Sequence, residues 1–154
     1  MRTQPGIERN LQILATRTTE VLTVLSVSPL EEDHSSLKAI VGHSSWRLFE
    51  AHNVRDSLVL LQEHDIAVVL CERELLPGTY IDLLEHIIAK PNAPSVIVAS
   101  RVADERLWAE ALNLGAWDVL AKPFDRTEVV RSVKSGWQHW HNQGNEQRMT
   151  ATGT

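Results

Sequence analysis

Four polar side chains lie at or directly after the ends of predicted strands and together have the chemistry of an anion site or an ion pair. They are a hydroxyl, a carboxylate, a second hydroxyl and an ammonium group, carried by Ser28, Glu72, Ser100 and Lys122. An ammonium at a strand end can hold a phosphate or a carboxylate, and a hydroxyl can donate to either. We favour an ion pair between Lys122 and Glu72, because the sequence offers Lys122 no other obvious charged partner.

The elements that must position these side chains alternate between two apolar periods. Strands are predicted at 21–27, 47–51, 66–71, 95–100 and 118–121, and helices at 31–41, 53–64, 80–89, 104–114 and 126–140. The continuous apolar run Ile66–Cys71 is typical of a strand buried on both faces of a parallel sheet. The alternation predicts an α/β fold: a doubly wound five-stranded parallel sheet of flavodoxin-like order 2-1-3-4-5, with helices on both faces. In such sheets the strand ends meet at one edge.

The 154-residue length predicts one domain with short extensions. Residues 1–20 form an N-terminal extension, an arm or an extra helix, with apolar positions at Ile7, Leu11 and Leu14. Residues 21–141 form the domain. Residues 142–154 are expected to be a disordered tail, because they contain few apolar side chains. We expect no output domain after the last helix.

Composition excludes several classes of function. The net charge of −5 disfavours nucleic acid and anionic membranes as partners. No signal peptide or membrane span is predicted, so we expect a cytoplasmic protein. The seven histidines lack ligand spacing, and Cys71 lies in an apolar run, so neither a metal site nor a reactive thiol is expected. No nucleophile with a nearby base and no glycine-rich phosphate loop is present, so we predict that the chain is not an enzyme.

The strand ends, taken in order, resemble those of response-regulator receiver domains. The resemblance rests on the Ser100 position, Leu76-Pro77-Gly78, Gly115-Ala116 and Lys122-Pro123-Phe124, and it covers residues from about 21 to 140. It implies the CheY-like fold and a role in two-component signalling. In such receivers the lysine contacts an aspartyl phosphate, and a Ser or Thr on the fourth strand contacts the same phosphate.

The chain departs from the receiver pattern at the other phosphorylation positions. The acid pair that binds Mg²⁺ aligns with Ser28 and Pro29, so we expect no Mg²⁺ and no other cofactor. The phosphoacceptor aspartate aligns with Glu72, or with Arg73 after a shift of one residue. The aromatic switch position is Val119. These departures predict an atypical receiver, or pseudo-receiver, with a degenerate pocket.

Three acids, Glu31, Glu32 and Asp33, follow the Ser28-Pro29 pair and begin the first helix. Acids suit the positive end of a helix dipole, so we expect all three to be solvated there. The tryptophans suggest an interface on the fourth helix, fifth strand and fifth helix, for which we name Trp108, Trp117 and Trp140. Trp137 is expected to pack in the core.

The predicted function is that of a stand-alone atypical receiver that acts by protein–protein contact, or as a homodimer, without being phosphorylated. A conventional phosphorylatable receiver and a small-molecule sensor that uses the vacated pocket are the alternatives.

Overall fold

The computed structural model describes residues 21–153, with side chains up to residue 146. The strands are β1 Thr23–Val27, β2 Arg47–Ala51, β3 Val68–Glu72, β4 Ser95–Ser100 and β5 Asp118–Ala121. The helices are α1 Glu31–Val41, α2 Val54–Glu63, α3 Tyr80–Ile88, α4 Glu105–Asn113 and α5 Arg126–Gly153. The predicted extension at residues 1–20 lies outside the described residues.

The five strands form one parallel sheet in the order β2-β1-β3-β4-β5, which confirms the predicted fold. Cys71 of β3 lies opposite Val27 of β1 and Val98 of β4. This register brings the carboxyl ends of β1, β3, β4 and β5 to one edge. The four polar side chains named from the sequence therefore lie at or directly after the ends of neighbouring strands at that edge.

The sheet is buried on both faces, which explains its apolar runs. In β3, Val69 and Cys71 belong to one core cluster, whereas Val68 and Leu70 belong to the other. Successive side chains of a strand point to opposite faces, so the four positions from Val68 to Cys71 are all apolar. Leu25, Val69 and Val98 are among the residues with no exposed surface.

Local sequence sets most helix boundaries. Thr79 and Asp82 form a reciprocal capping box at the start of α3. The Asp104 carboxylate accepts from Leu107 N at 2.9 Å, which caps α4. Gly115 follows the same helix with φ at +106°, a left-handed conformation that favours glycine.

Helix α5 is longer than predicted, and the expected disordered tail from residue 142 is not what the structure shows. The helix continues to Gly153, a length of 28 residues. Gln138 Nε2 donates to Asn142 Oδ1 at 3.0 Å. Gln143 Nε2 lies 3.0 Å from His139 Nε2, at the same spacing of four residues. Such pairs stabilise a polar helix that buries little apolar surface, and no proline interrupts it.

Trp140 does not have the exposed position that the sequence suggested. Together with Trp137 it packs against the cluster of β1, β3 and α5 side chains, and it is half-buried. The last turns of the predicted helix therefore contact the sheet. Within residues 21–153, no helix is both long enough and apolar enough to cross a bilayer.

Candidate functional site

Lys122 is the centre of the carboxyl edge of the sheet. Its Nζ lies 2.8 Å from Glu72 Oε2 and 2.8 Å from Asp33 Oδ2. The three side chains are buried, with exposed fractions of 5% for Lys122, 11% for Glu72 and 9% for Asp33. One ammonium group thus faces two carboxylates in an environment where water screens their attraction poorly.

Glu72, and not Arg73, supplies the β3 contact. Glu72 is the last residue of β3, and its carboxylate makes the ion pair with Lys122 that the sequence favoured. Arg73 Nε lies 3.9 Å from the exposed Glu74 carboxylate instead. The side-chain positions therefore agree with the alignment without a shift, which places Glu72 at the position of the phosphoacceptor.

Asp33 was wrongly expected to be a solvated helix-start acid. It is buried, and its Oδ2 accepts hydrogen bonds from Lys122 Nζ and, at 2.6 Å, from Ser28 Oγ. It lies in the first turn of α1 and faces the sheet edge, whereas the neighbouring Glu31 and Glu32 are exposed as expected. Lys122 accordingly has two charged partners where the sequence indicated one.

A buried histidine, which sequence reasoning missed, supports Ser28. His34 has no exposed surface; its Nε2 lies 2.9 Å from the Ser28 carbonyl oxygen and its Nδ1 lies 2.9 Å from Ser26 Oγ. The neutral tautomer that donates from Nε2 and accepts at Nδ1 satisfies both contacts. His34 therefore fixes the backbone of Ser28, and the Ser28 hydroxyl donates to Asp33. The sequence signal for this burial was that His34 lies three residues before the apolar Leu37, which is the spacing of one helix face.

Lys122 has a perturbed proton affinity. Burial acts to lower the pKa of this ammonium, but the bonds to Asp33 and Glu72 outweigh it, so the pKa lies above its ordinary value. Removing the proton would leave two buried carboxylates without their cation. The arrangement thus keeps Lys122 charged under neutral conditions.

Ser100 and Val119 lie near this edge but make local contacts. Ser100 is 5% exposed, and its Oγ accepts from Val102 N at 3.0 Å, while its carbonyl oxygen accepts from Lys122 N at 3.0 Å. Val119 is 9% exposed and belongs to the core cluster that includes Val98. Pro29 is half-buried in the loop before α1.

A cavity of about 320 Å³ opens beside Lys122. Its lining includes Asp33, Ser36 and Phe124, and it also includes Glu32 and Arg101. Arg101 Nη2 lies 2.9 Å from Glu32 Oε1, and both side chains are largely exposed. Charged groups of both signs therefore surround the space next to the buried ion pairs.

Comparison with known proteins agrees with this geometry. The model of the response regulator receiver domain matches residues 31–134. The chain belongs to this family. The solved receiver domain of an HD domain-containing protein from Pseudomonas fluorescens Pf-5 matches with a TM-score of 0.73 at 23% identity. The solved receiver domain of a putative Luxo repressor protein from Vibrio parahaemolyticus matches with a TM-score of 0.75 at 20% identity. They cover 80% and 81% of this chain, and 99% and 96% of their own chains are matched.

One curated relative is a protein-glutamate methylesterase/protein-glutamine glutaminase from Desulfotalea psychrophila. It is 33% identical over 87 residues, which are 54% of this chain and 23% of that protein. The chain spans between 23% and 48% of the length of the five curated relatives that it matches. Receiver domains of this family are signalling modules, and the chain is thus a receiver domain of the two-component type.

The Mg²⁺ that receiver chemistry uses does not fit the donor set at this receiver's edge. The two buried carboxylates at this edge, Asp33 and Glu72, are both engaged by Lys122, and Ser28 and Pro29 follow β1. Mg²⁺ prefers several oxygen ligands in near-octahedral geometry. No group of three histidine, cysteine or acidic side chains that could hold a metal occurs in the part of the chain that the structure describes.

The predicted interface tryptophans differ in their environments. Trp108 on α4 is 52% exposed and Trp117 before β5 is 36% exposed. Trp117 stacks on His139 with 4.4 Å between ring centroids, and its Nε1 donates to Ser135 Oγ at 3.1 Å. Trp108 thus presents its ring to solvent, while Trp117 is partly held by α5.

Proposed function

We propose that this receiver domain is an atypical one, which signals by protein–protein contact and is not phosphorylated. The observation that carries the proposal is the position of Lys122 Nζ, 2.8 Å from both Glu72 and Asp33. The ammonium that would contact a phosphoryl group is already neutralised by carboxylates of the same chain.

The charge of Glu72 supports a fixed state. A glutamate is one methylene longer than an aspartate, so its carboxylate extends further from β3 and reaches Lys122 directly. It supplies a permanent negative charge on the side of Lys122 where an acyl phosphate on a β3 aspartate would supply one. We infer that the domain holds one conformation, in which the ends of β3 and β5 are joined by this ion pair.

The absence of a carboxylate directly after β1 supports the same proposal. Phosphoryl transfer to a carboxylate requires a cation that neutralises the reacting oxygens. Ser28 stands where the first acid of the pair would be, and its hydroxyl is committed to Asp33 at 2.6 Å. Lys122 acts as an internal cation for the two remaining acids, and the pocket has no need of a metal.

The proposed contact surface consists of α4, β5 and α5. Trp108 is its most exposed aromatic side chain, and the apolar side chains of Val102, Leu114 and Trp117 are exposed nearby, at 59%, 38% and 36%. Exposed aromatic side chains are common anchors of protein interfaces. The partner is a signalling protein or a second copy of the chain.

A small-molecule sensor is the second candidate, favoured by the cavity of about 320 Å³ beside Lys122. That volume lies in the range of ligand pockets. A conventional phosphorylatable receiver is the third candidate, and it would need Glu72 or Asp33 to accept the phosphoryl group after leaving Lys122.

Incubation with acetyl phosphate and Mg²⁺, followed by intact mass spectrometry, separates these candidates. We expect no added phosphoryl mass on the natural chain. The matched variant carries Ser28→Asp, Pro29→Asp and Glu72→Asp, which rebuilds the acid pair and the acceptor, and it should gain one phosphoryl group. A phosphoryl adduct on the natural chain that disappears in Glu72→Gln or Asp33→Asn would overturn the proposal. Saturable stabilisation by a small molecule, lost in Arg101→Ala, would favour the sensor.

A further inference from the structure

A second cavity lies at the opposite, amino edge of the sheet, far from Lys122. It is a groove of about 770 Å³ between α5 and the loop that joins α3 to β4. Ile88 and Trp117 are the large exposed apolar side chains of its lining, 51% and 36% exposed, and His139 and Gln143 of α5 form one wall. The loop 91–94 forms the other wall.

The groove contains an unsatisfied polar atom. Asn92 Oδ1 is buried and has no hydrogen-bond partner among the described residues. A buried amide oxygen without a donor costs free energy comparable to a lost hydrogen bond. This oxygen is therefore an unsatisfied acceptor in one wall of the groove.

The chain enters the described region at the same edge. Ala67 N donates to Thr23 O at 3.1 Å and Ser95 N donates to Ala67 O at 2.9 Å, so the starts of β1, β3 and β4 lie in one row. Two strand spacings, about 10 Å in all, separate the starts of β1 and β4. Leu22 packs in the same core cluster as Trp137 and Trp140 of α5. The described part of the chain therefore begins beside α5.

Helix α5 extends past this edge. Ser95 Oγ, on the first residue of β4, donates to Gly136 O at 2.7 Å, so residue 136 is level with the edge. The remaining residues, up to Gly153, add about 25 Å of helix at 1.5 Å per residue. This overhang and the loop 91–94 flank the groove at the edge where the described chain begins.

The sequence that precedes Val21 has a suitable apolar pattern. Ile7, Leu11 and Leu14 recur at intervals of four and three residues, the spacing of one face of an amphipathic helix. The six residues between Leu14 and Val21 span up to about 20 Å when extended, more than the distance between the starts of β1 and β4. We propose that residues 1–20 of the same chain occupy the groove, with these three side chains against Ile88 and Trp117. This proposal is independent of the phosphorylation state of the receiver.

The test compares two double variants of the full chain by hydrogen exchange. Leu11→Lys with Leu14→Lys places charges on the apolar face, whereas Gln12→Lys with Thr16→Lys adds the same charge on the opposite face. We expect the first variant to exchange the amides of residues 88–90, 92, 93, 95 and 117 about tenfold faster than the natural chain, since an uncovered groove opens more readily. The control variant should exchange them at the natural rate.

A reciprocal variant keeps the proposal testable if the first one fails to fold. Ile88→Lys changes only the groove, and it should speed exchange within residues 7–14 by a similar factor. Equal exchange in all variants overturns the proposal. A natural chain that has the mass of two copies by light scattering, and becomes a single copy in Leu11→Lys with Leu14→Lys, also overturns it, because the segment would then be supplied by the second copy.

Discussion

Lys122 Nζ donates a hydrogen bond to Asp33 Oδ2 at 2.8 Å, although the two residues are 89 positions apart in the chain. The bond joins the first turn of α1 to the end of β5, and the Glu72 carboxylate adds the end of β3. Ser28 and His34 complete a buried polar network, in which the Ser28 hydroxyl donates to Asp33 and the His34 ring bonds to Ser26 Oγ and the Ser28 carbonyl oxygen. The network is therefore a structural link across one edge of the sheet.

Replacement of Lys122 by methionine should destabilise the domain strongly. The change leaves two buried carboxylates without a cation, and breaking a buried ion pair from one side typically costs about 3–5 kcal/mol. The measurement is urea unfolding at neutral pH. Lys38→Met is the matched control, because its ion pair with Glu50 is 2.7 Å long but the lysine is 60% exposed; water and salt screen that pair, so this variant should lose far less stability. Equal losses in the two variants would contradict the account.

Alkaline pH should weaken the domain through the same lysine. Burial acts to lower the pKa of Lys122, and the bonds to Asp33 and Glu72 outweigh it, so the pKa is raised above the ordinary 10.5. A raised lysine pKa gives stability that is complete below the unfolded pKa and is lost as the pH rises through the folded pKa. The difference in unfolding free energy between the natural chain and Lys122→Met should stay constant to about pH 10 and then shrink. A difference that shrinks already near neutral pH would argue against the ion pairs.

Asp33→Asn should be costly, whereas Glu32→Gln should be nearly neutral. Asparagine keeps the shape but removes the charge that Lys122 faces, and the loss of a charge-assisted buried bond is worth about 1–3 kcal/mol. Glu32 pairs with Arg101 at 2.9 Å, but its side chain is 61% exposed, so water and salt screen that pair. Thermal unfolding of both variants measures the contrast, and a Glu32 effect that equals the Asp33 effect would show that burial is not the deciding factor.

Trp108→Ala should weaken binding to a partner or to a second copy while the stability of the domain changes little. Trp108 is 52% exposed, so its removal leaves no cavity in the core. Trp137→Ala is the contrasting variant, because Trp137 packs on the core beside α5 and its loss should cost about 3 kcal/mol. Light scattering gives the mass of each variant and urea unfolding gives its stability. An unchanged mass and unchanged partner capture in Trp108→Ala would remove this residue from the interface.

Much of the fold was predictable, because its signals are local and periodic. The apolar runs of β3 and β4 reflect burial on both faces, and Thr79, Asp104 and Gly115 mark helix ends by their own backbone chemistry. The contact between Glu72 and Lys122 followed from the rule that parallel strands end at one edge. These inferences needed no long-range geometry beyond the order of the strands.

Asp33 and His34 were beyond such reasoning. An acid in the first turn of a helix has a sufficient local explanation in the helix dipole, and only the rotation of α1 about its axis decides that Asp33 faces Lys122 while Glu32 faces solvent. That rotation is set by the packing of Leu37 and Val41, several residues away. The extent of α5 was missed for a related reason, since polar residues continue a helix without an apolar signal.

The most direct test of the account is a nuclear magnetic resonance titration of the Lys122 ammonium in protein with labelled side-chain nitrogen. Lys122→Met identifies the signal, and the exposed Lys134 provides an internal reference. The account predicts a pKa for Lys122 above 10.5, and a signal that keeps its position when Mg²⁺ and acetyl phosphate are added. A pKa at or below the ordinary value, or a signal that moves when these reagents are added, would contradict a Lys122 held by Glu72 and Asp33.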